Sequence, residues 1–192
     1  MNKRVSLTTQ AHHIIQKFIQ PGDIVLDATT GNGHDTLFLA KQVGQQGKVF
    51  GFDVQQQAIV STKSRLQAEN ITDNVELIHA CHSTMKNTIP PQYHGKIKAI
   101  MFNLGYLPGS DKSIISKADS TLAAIQQSIS LLAATGIITI TAYPGHSGGE
   151  LETEKIKQWY QQLNPKHYTQ QLIYSSEKIT APRLLIIQKH LS

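Results

Sequence analysis

Short apolar runs alternate with stretches of helical periodicity along the whole chain, and no other feature restricts the possible folds as much. Ala11, Ile14, Ile15, Phe18 and Ile19 recur at helical spacing and predict a helix over 8–20, stopped by Pro21-Gly22. The pattern then predicts a strand over 23–28, a helix over 34–43, a strand over 48–53, a helix over 55–69 and a strand over 75–79. A looser stretch carries Pro90-Pro91 and leads into a strand over 96–103. Leu122, Ile125, Ile129 and Leu132 mark a long helix, and 136–142 is rich in β-branched residues, as strands are. Ile156, Trp159, Tyr160 and Leu163 mark a last helix, ended at Asn164-Pro165, and two strands follow near 169–174 and 183–188. Such alternation predicts an α/β fold: a seven-stranded, mostly parallel sheet with helices on both faces. The final two strands have no helix between them, which suits an antiparallel hairpin at the sheet edge. No repeat or composition break divides the 192 residues, so a single domain is expected, with residues 1–20 as an N-terminal helix packed on it.

Composition removes several classes. Hydrophobic residues make up 40% and charged residues 16%, a globular balance rather than a disordered one. No apolar run approaches the roughly 20 residues that span a bilayer. The nearest, over 131–142, is broken by Thr135, Gly136, Thr139 and Thr141. Met1-Asn2-Lys3-Arg4 has no apolar stretch behind its charges, so no secretory signal is expected. The single cysteine, Cys81, excludes an internal disulfide and a cysteine-rich metal site, and makes the cytoplasm the expected compartment. A net charge of +5 and a pI near 9.3 permit a polyanionic partner without establishing one.

In open α/β sheets ligands bind outside the carboxyl ends of the strands, so the residues after each expected strand carry the functional information. The first such segment is Asp27-Ala28-Thr29-Thr30-Gly31-Asn32-Gly33-His34-Asp35-Thr36. Its glycines permit a tight turn and a close backbone approach. The spacing G-x-G-x-x-T lacks the third glycine of a dinucleotide fingerprint. The segment carries the acids Asp27 and Asp35 and the amide Asn32; the acids would repel a pyrophosphate but suit a zwitterion or a cation, which favours S-adenosylmethionine over NAD. A strand–helix turn capped by an aspartate would use the same residues.

Asp53 ends the second strand, 20 residues beyond Gly33, where an acid accepts both ribose hydroxyls of a nucleoside, and Gln55 lies close by. The third strand is followed by His79-Ala80-Cys81-His82-Ser83, the usual place for adenine contacts. No further ligand cluster accompanies the histidines, so no metal is expected. The fourth strand ends in Asn103-Leu104-Gly105-Tyr106-Leu107-Pro108-Gly109. An amide followed three residues later by an aromatic resembles the N-P-P-Y signature of amino-group methyltransferases, with Leu104-Gly105 in place of Pro-Pro. The fifth strand leads into Tyr143-Pro144-Gly145-His146-Ser147-Gly148-Gly149, a Gly-rich loop on which His146 is a candidate proton acceptor or substrate contact.

Taken together, these segments, with Asp111-Lys112, resemble the small class I methyltransferases of the "putative rRNA methylase" family from about residue 8 to the C-terminus. Gly31-Asn32-Gly33-His34-Asp35-Thr36 and Asn103 to Gly109 are the specific matches. The chain departs at Cys81-His82, where Ser-His is expected, and at Ser147, where proline commonly follows the histidine. The resemblance implies a Rossmann-like methyltransferase fold and S-adenosylmethionine held by Asp27, Gly31, Asn32, Gly33, His34, Asp35, Thr36, Asp53, Gln55, Cys81 and His82. It implies the anticodon stem-loop of tRNA as partner, a homodimer, and methylation of the 5-aminomethyl group of wobble uridine 34. In that chemistry Asn103 orients the amine and Tyr106 stacks on the uracil. Leu104, Gly105, Asp111, Tyr143, Gly145 and His146 are the candidate substrate contacts. Methylation of rRNA or of a small amine, a non-catalytic RNA-binding role, and a nicotinamide-dependent oxidoreductase are the alternatives.

Overall fold

The computed structural model describes residues 5–71, 73–105, 118–145, 148–178 and 180–190. One seven-stranded sheet runs through them. In chain order the elements are α1 (Leu7–Ile15), β1 (Ile24–Asp27), α2 (His34–Val43), β2 (Lys48–Asp53), α3 (Gln56–Ala68), β3 (Val75–His79), α4 (Met85–Thr88), β4 (Ile97–Asn103), α5 (Ala118–Leu131), β5 (Leu132–Ala142), α6 (Gly149–Gln161), β6 (Tyr168–Tyr174) and β7 (Arg183–Lys189). The spatial order is β3-β2-β1-β4-β5-β7-β6. The first five strands pair in parallel, while β7 is antiparallel to both β5 and β6. The expected antiparallel hairpin is present. Its second strand is inserted beside β5, which leaves β6 at the edge.

Side chains alternate between two apolar layers. On one face Leu26, Phe50, Phe52, Ile100, Phe102, Ile138 and Ile140 are covered by Met85, Ala124, Ile125, Leu131, Ile156 and Tyr160. On the other, Val25, Val49, Ala99, Met101, Ile137, Leu184 and Ile186 are covered by Leu7, Ala11 and Ile15 of α1, Leu39, Ala40 and Val43 of α2, and Leu66 of α3. Strands covered on both faces lose the polar alternation of a half-exposed sheet, which is why β4 and β5 read as near-continuous apolar runs. Each fully buried Leu, Ile or Phe contributes about 1.5–3 kcal/mol.

The helix α1 ends at Ile15, short of the expected residue 20. The chain then tightens, with Lys17 and Phe18 donating to carbonyls only three residues back, and this keeps Ile19 buried. The strand β5 begins at Leu132, earlier than expected, because Leu132 pairs with Ile97 before a bulge carries the register on to Ala99↔Ile137. The helix α6 begins at Gly149, well before the apolar positions that announce it. The stretch expected to be loose contains α4 and two short 3-10 turns, too brief to show periodicity.

Candidate active site

Parallel pairing of β1 through β5 brings the carboxyl ends of these strands to one rim, so Asp27, Asp53, His79, Asn103 and Ala142 terminate along a common edge. The loop after β1 crosses that edge. Gly33 is the N-cap of α2 in the left-handed conformation (φ 79°), and a Cβ there would lie 2.9 Å from the Cα of Thr62 on α3. The second glycine is therefore needed by the packing of α2 on α3 as well as by the turn. Thr62 donates its hydroxyl to the Gly31 carbonyl at 3.1 Å, and Arg65 Nε donates to the Asn32 carbonyl at 2.6 Å. Both α3 side chains hold the loop from outside. Neither was expected from sequence, because residues 62 and 65 carry only helical periodicity.

Two carboxylates organise the rim at the ends of β1 and β2. Asp53 accepts the Gly31 N–H on Oδ2 and the Gln55 N–H on Oδ1, each at 2.9 Å. Asp27 is fully buried and accepts the Thr36 hydroxyl at 2.6 Å and the Thr29 N–H at 3.1 Å. Burial, reinforced by the charge of Asp35, pushes the Asp27 carboxyl up to about 7. His82 packs edge-on to Phe102 with Nδ1 3.3 Å from the Ala28 carbonyl, and burial holds its imidazole below the usual range. Its Nε2 is buried and has no hydrogen-bond partner among the described residues.

A third carboxylate, Asp35, faces the other end of the rim. Its Oδ2 accepts Asn103 Nδ2 at 3.3 Å, and its Oδ1 lies 2.6 Å from His12 Nε2 on α1. The Asn103 backbone N–H donates to Thr29 Oγ1 at 2.7 Å. With its NH2 directed to Asp35, the Asn103 amide presents its oxygen as the group left to accept from a ligand. Tyr143, at the end of β5, hydrogen-bonds to Thr8, and burial together with the charge of Asp35 raises its hydroxyl above the ordinary phenol range. His12 and Thr8 were missed in the sequence. The available signal was a pair of polar residues beside Leu7, Ala11 and Ile15, the buried positions of α1.

The structure thus joins Asp27, Thr36, Asp35 and Asn103 in one group, and Gly31, Asp53 and Gln55 in another. His34 is exposed and sits 3.2 Å from Arg65. Cys81 Sγ accepts from Ser83 at 3.1 Å. The Leu104 side chain belongs to the core, so only its backbone is at the rim. Gly105 adopts a φ of 134°, and its missing Cβ would lie 3.7 Å from the Tyr143 ring. Gly145 is exposed beyond it. Tyr106, Asp111 and His146 lie outside the described residues. Among the described residues no group of three His, Cys, Asp or Glu is placed to hold a metal ion, and no helix is long and apolar enough to cross a membrane.

Known proteins share this architecture. The chain is 39% identical to the "putative rRNA-methylase" of Clostridium thermocellum, whose crystal structure superposes with a TM-score of 0.90 over 98% of this chain and 100% of that one. It is 32% identical to a "putative methyltransferase" from Streptococcus mutans solved in complex with SAH (TM-score 0.84, covering 98% and 99% of the two chains). A curated relative, the chloroplastic tRNA (mnm(5)s(2)U34)-methyltransferase of Arabidopsis thaliana, is 41% identical over 162 residues, which is 80% of this chain. The chain spans 58% of that relative's length. The family model described as "Putative rRNA methylase" matches residues 49–189, a stretch running from β2 through β7 and including both Asp53 and Asn103, and the chain belongs to that family.

Proposed function

We propose that this protein is a tRNA methyltransferase that uses S-adenosylmethionine to methylate the 5-aminomethyl nitrogen of wobble uridine 34, giving 5-methylaminomethyl-(2-thio)uridine. The observation that carries the reading is the amide of Asn103, oriented by Asp35 on the same rim that carries Asp53 two strands away. The likeness to the Arabidopsis tRNA enzyme supports the substrate.

The residues at the rim fit the cofactor. Asp53 uses one lone pair of each oxygen on the backbone and keeps others for two ribose hydroxyls. Buried His82 Nε2 is an acceptor open to a donor. Asp27, Asp35 and Asp53 pair with no lysine or arginine among the described residues, an electrostatic setting that suits a cation. When bound, the cofactor supplies a methyl group on a positively charged sulfur.

The chain's own task is alignment and proton management. An alkylamine is protonated in neutral water and has no lone pair to offer, so the rim must accept a proton from it. The Asn103 oxygen and the backbone at Leu104 orient the nitrogen, and Tyr106 stacks on the uracil. Stacking of this kind contributes about 1–3 kcal/mol per base. The basic surface meets the anticodon stem-loop, so binding weakens with salt. The same reading makes the enzyme a cytoplasmic homodimer, which light scattering in solution checks.

Nucleoside mass analysis of tRNA from a strain lacking the gene tests the function. Accumulation of the aminomethyl nucleoside, reversed by the wild-type gene, is the expected result. Unchanged tRNA with a methyl group missing from rRNA would transfer the reading to rRNA.

A further inference from the structure

We propose that His12, on the helix that precedes the first strand, relays the proton released by the amine, acting through Asp35 as a positioning residue of the catalytic rim. The proposal rests on the function proposed above, since it presumes an amine substrate.

The geometry places His12 in a chain of contacts that ends at Asn103. Its Nε2 lies 2.6 Å from Asp35 Oδ1, and the other oxygen of the same carboxylate accepts Asn103 Nδ2 at 3.3 Å. The ring is fixed on its face as well as its edge, stacked on Phe38 with centroids 3.9 Å apart and planes 6° from parallel. Phe38 lies one turn beyond Asp35 on α2, so a single helix supplies both the carboxylate and the platform. The Asp35 side chain is 6% exposed and that of His12 is 22% exposed. The pair therefore runs from the buried rim towards solvent, as a route for a proton requires.

The chemistry needs such a route. An aminomethyl group arrives as the ammonium and leaves as a methylated secondary ammonium. One N–C bond forms, one C–S bond breaks with its electron pair staying on sulfur, and one proton is released per turnover. The Asn103 amide accepts a hydrogen bond but does not take a proton at neutral pH. Asp35, bonded to that same amide, can receive it and pass it to Nε2 of the imidazole in the tautomer whose own proton sits on Nδ1.

The surroundings of His12 offer few competitors among the described residues. From α2 come Asp35 and Phe38, with Asp27 of β1 behind Asp35. From the end of β5 comes Tyr143, bonded to Thr8 one turn earlier on α1. The strand β7 presents the apolar Leu184 and Ile186 to this layer. On α1 itself His13 is exposed.

His12→Gln keeps a side chain that can hydrogen-bond Asp35 but cannot carry a proton. With total tRNA from a strain lacking the gene as substrate, its kcat should fall about 10- to 100-fold near pH 7. The deficit should close as pH rises and free amine accumulates, while KM for tRNA and affinity for S-adenosylhomocysteine stay at wild-type values. Added imidazole should restore part of the rate to His12→Ala, and His13→Gln should behave as wild type. A wild-type pH profile for His12→Gln, or a deficit that is equal at every pH and unresponsive to imidazole, would overturn the relay. If wild-type protein forms no methylaminomethyluridine in that tRNA, the proposed function fails, and the relay, which presumes that amine, falls with it; with wild type active, the behaviour of the His12 variants supports or overturns the relay alone.

Discussion

The carboxylate of Asp53 receives the N–H of Gly31 at 2.9 Å, so the acid that ends β2 also pins the loop that leaves β1. The ends of β1 and β2 are thereby held in one register. On the proposed reading Asp53 also accepts the ribose hydroxyls of the cofactor, so Asp53→Ala removes that acceptor and releases the loop at once. Hydrogen bonds to charged groups contribute about 1.5–3 kcal/mol each, so the dissociation constant for S-adenosylhomocysteine should rise at least about tenfold by calorimetry. The kcat at saturating cofactor should stay near wild type. Unchanged affinity would remove Asp53 from the cofactor site.

Asn103→Ala should give the opposite pattern. On the proposed reading the amide orients the amine, and misplacing a reacting group by about 1 Å costs about 100-fold in rate. Radiolabel transfer to tRNA should fall by that order while cofactor affinity holds. A variant with weakened cofactor binding and normal turnover would contradict the assignment.

Gly33→Ala tests the fold of the loop. The left-handed φ costs roughly 1–2 kcal/mol for an L-residue, and a new Cβ 2.9 Å from the Thr62 Cα adds an overpacking cost of about 1–3 kcal/mol. The expected loss of about 2–5 kcal/mol is read by urea denaturation. Thr62→Ala should not rescue it, because the nearest atom belongs to the backbone. Rescue by that second change would show the side chain to be the obstacle.

Asp27 makes stability depend on pH in a direction unusual for a carboxylate. Its folded carboxyl is raised from 3.8 to about 7, chiefly by burial and then by Asp35. Between about pH 4 and pH 7 the folded chain holds a proton that the unfolded chain releases. The contribution is fully present below about pH 4 and disappears as pH climbs towards 7. Across that window wild type should lose on the order of a few kcal/mol relative to Asp27→Asn, followed as urea midpoints. Parallel curves for the two proteins would refute the assignment.

Much of this was readable from residues alone, for identifiable reasons. The bounds of α2, β2 and β3 match the expected ones because glycine or a polar turn closes each apolar run. Asp53 and Asn103 were visible as polar residues at the ends of such runs. What stayed hidden depends on contacts between distant segments. Nothing local marks Arg65 as the partner of the Asn32 carbonyl, since an arginine on a polar helix face has many equivalent uses. His12 and Asp35 are separated by two turns and a strand, and only the seating of α1 on the sheet joins them. The insertion of β7 between β5 and β6 is a choice of topology that hydrophobic spacing does not encode.

That seating has a consequence for how the chain is made. Leu7, Ala11 and Ile15 rest in the same apolar layer as Leu184 and Ile186, so a helix made early shares its resting place with a strand made much later. Until β7 has been made the greasy side of that helix lacks part of its cover, and His12 gains its final setting only then. Nascent protein should therefore bind cofactor well before it becomes competent to turn over.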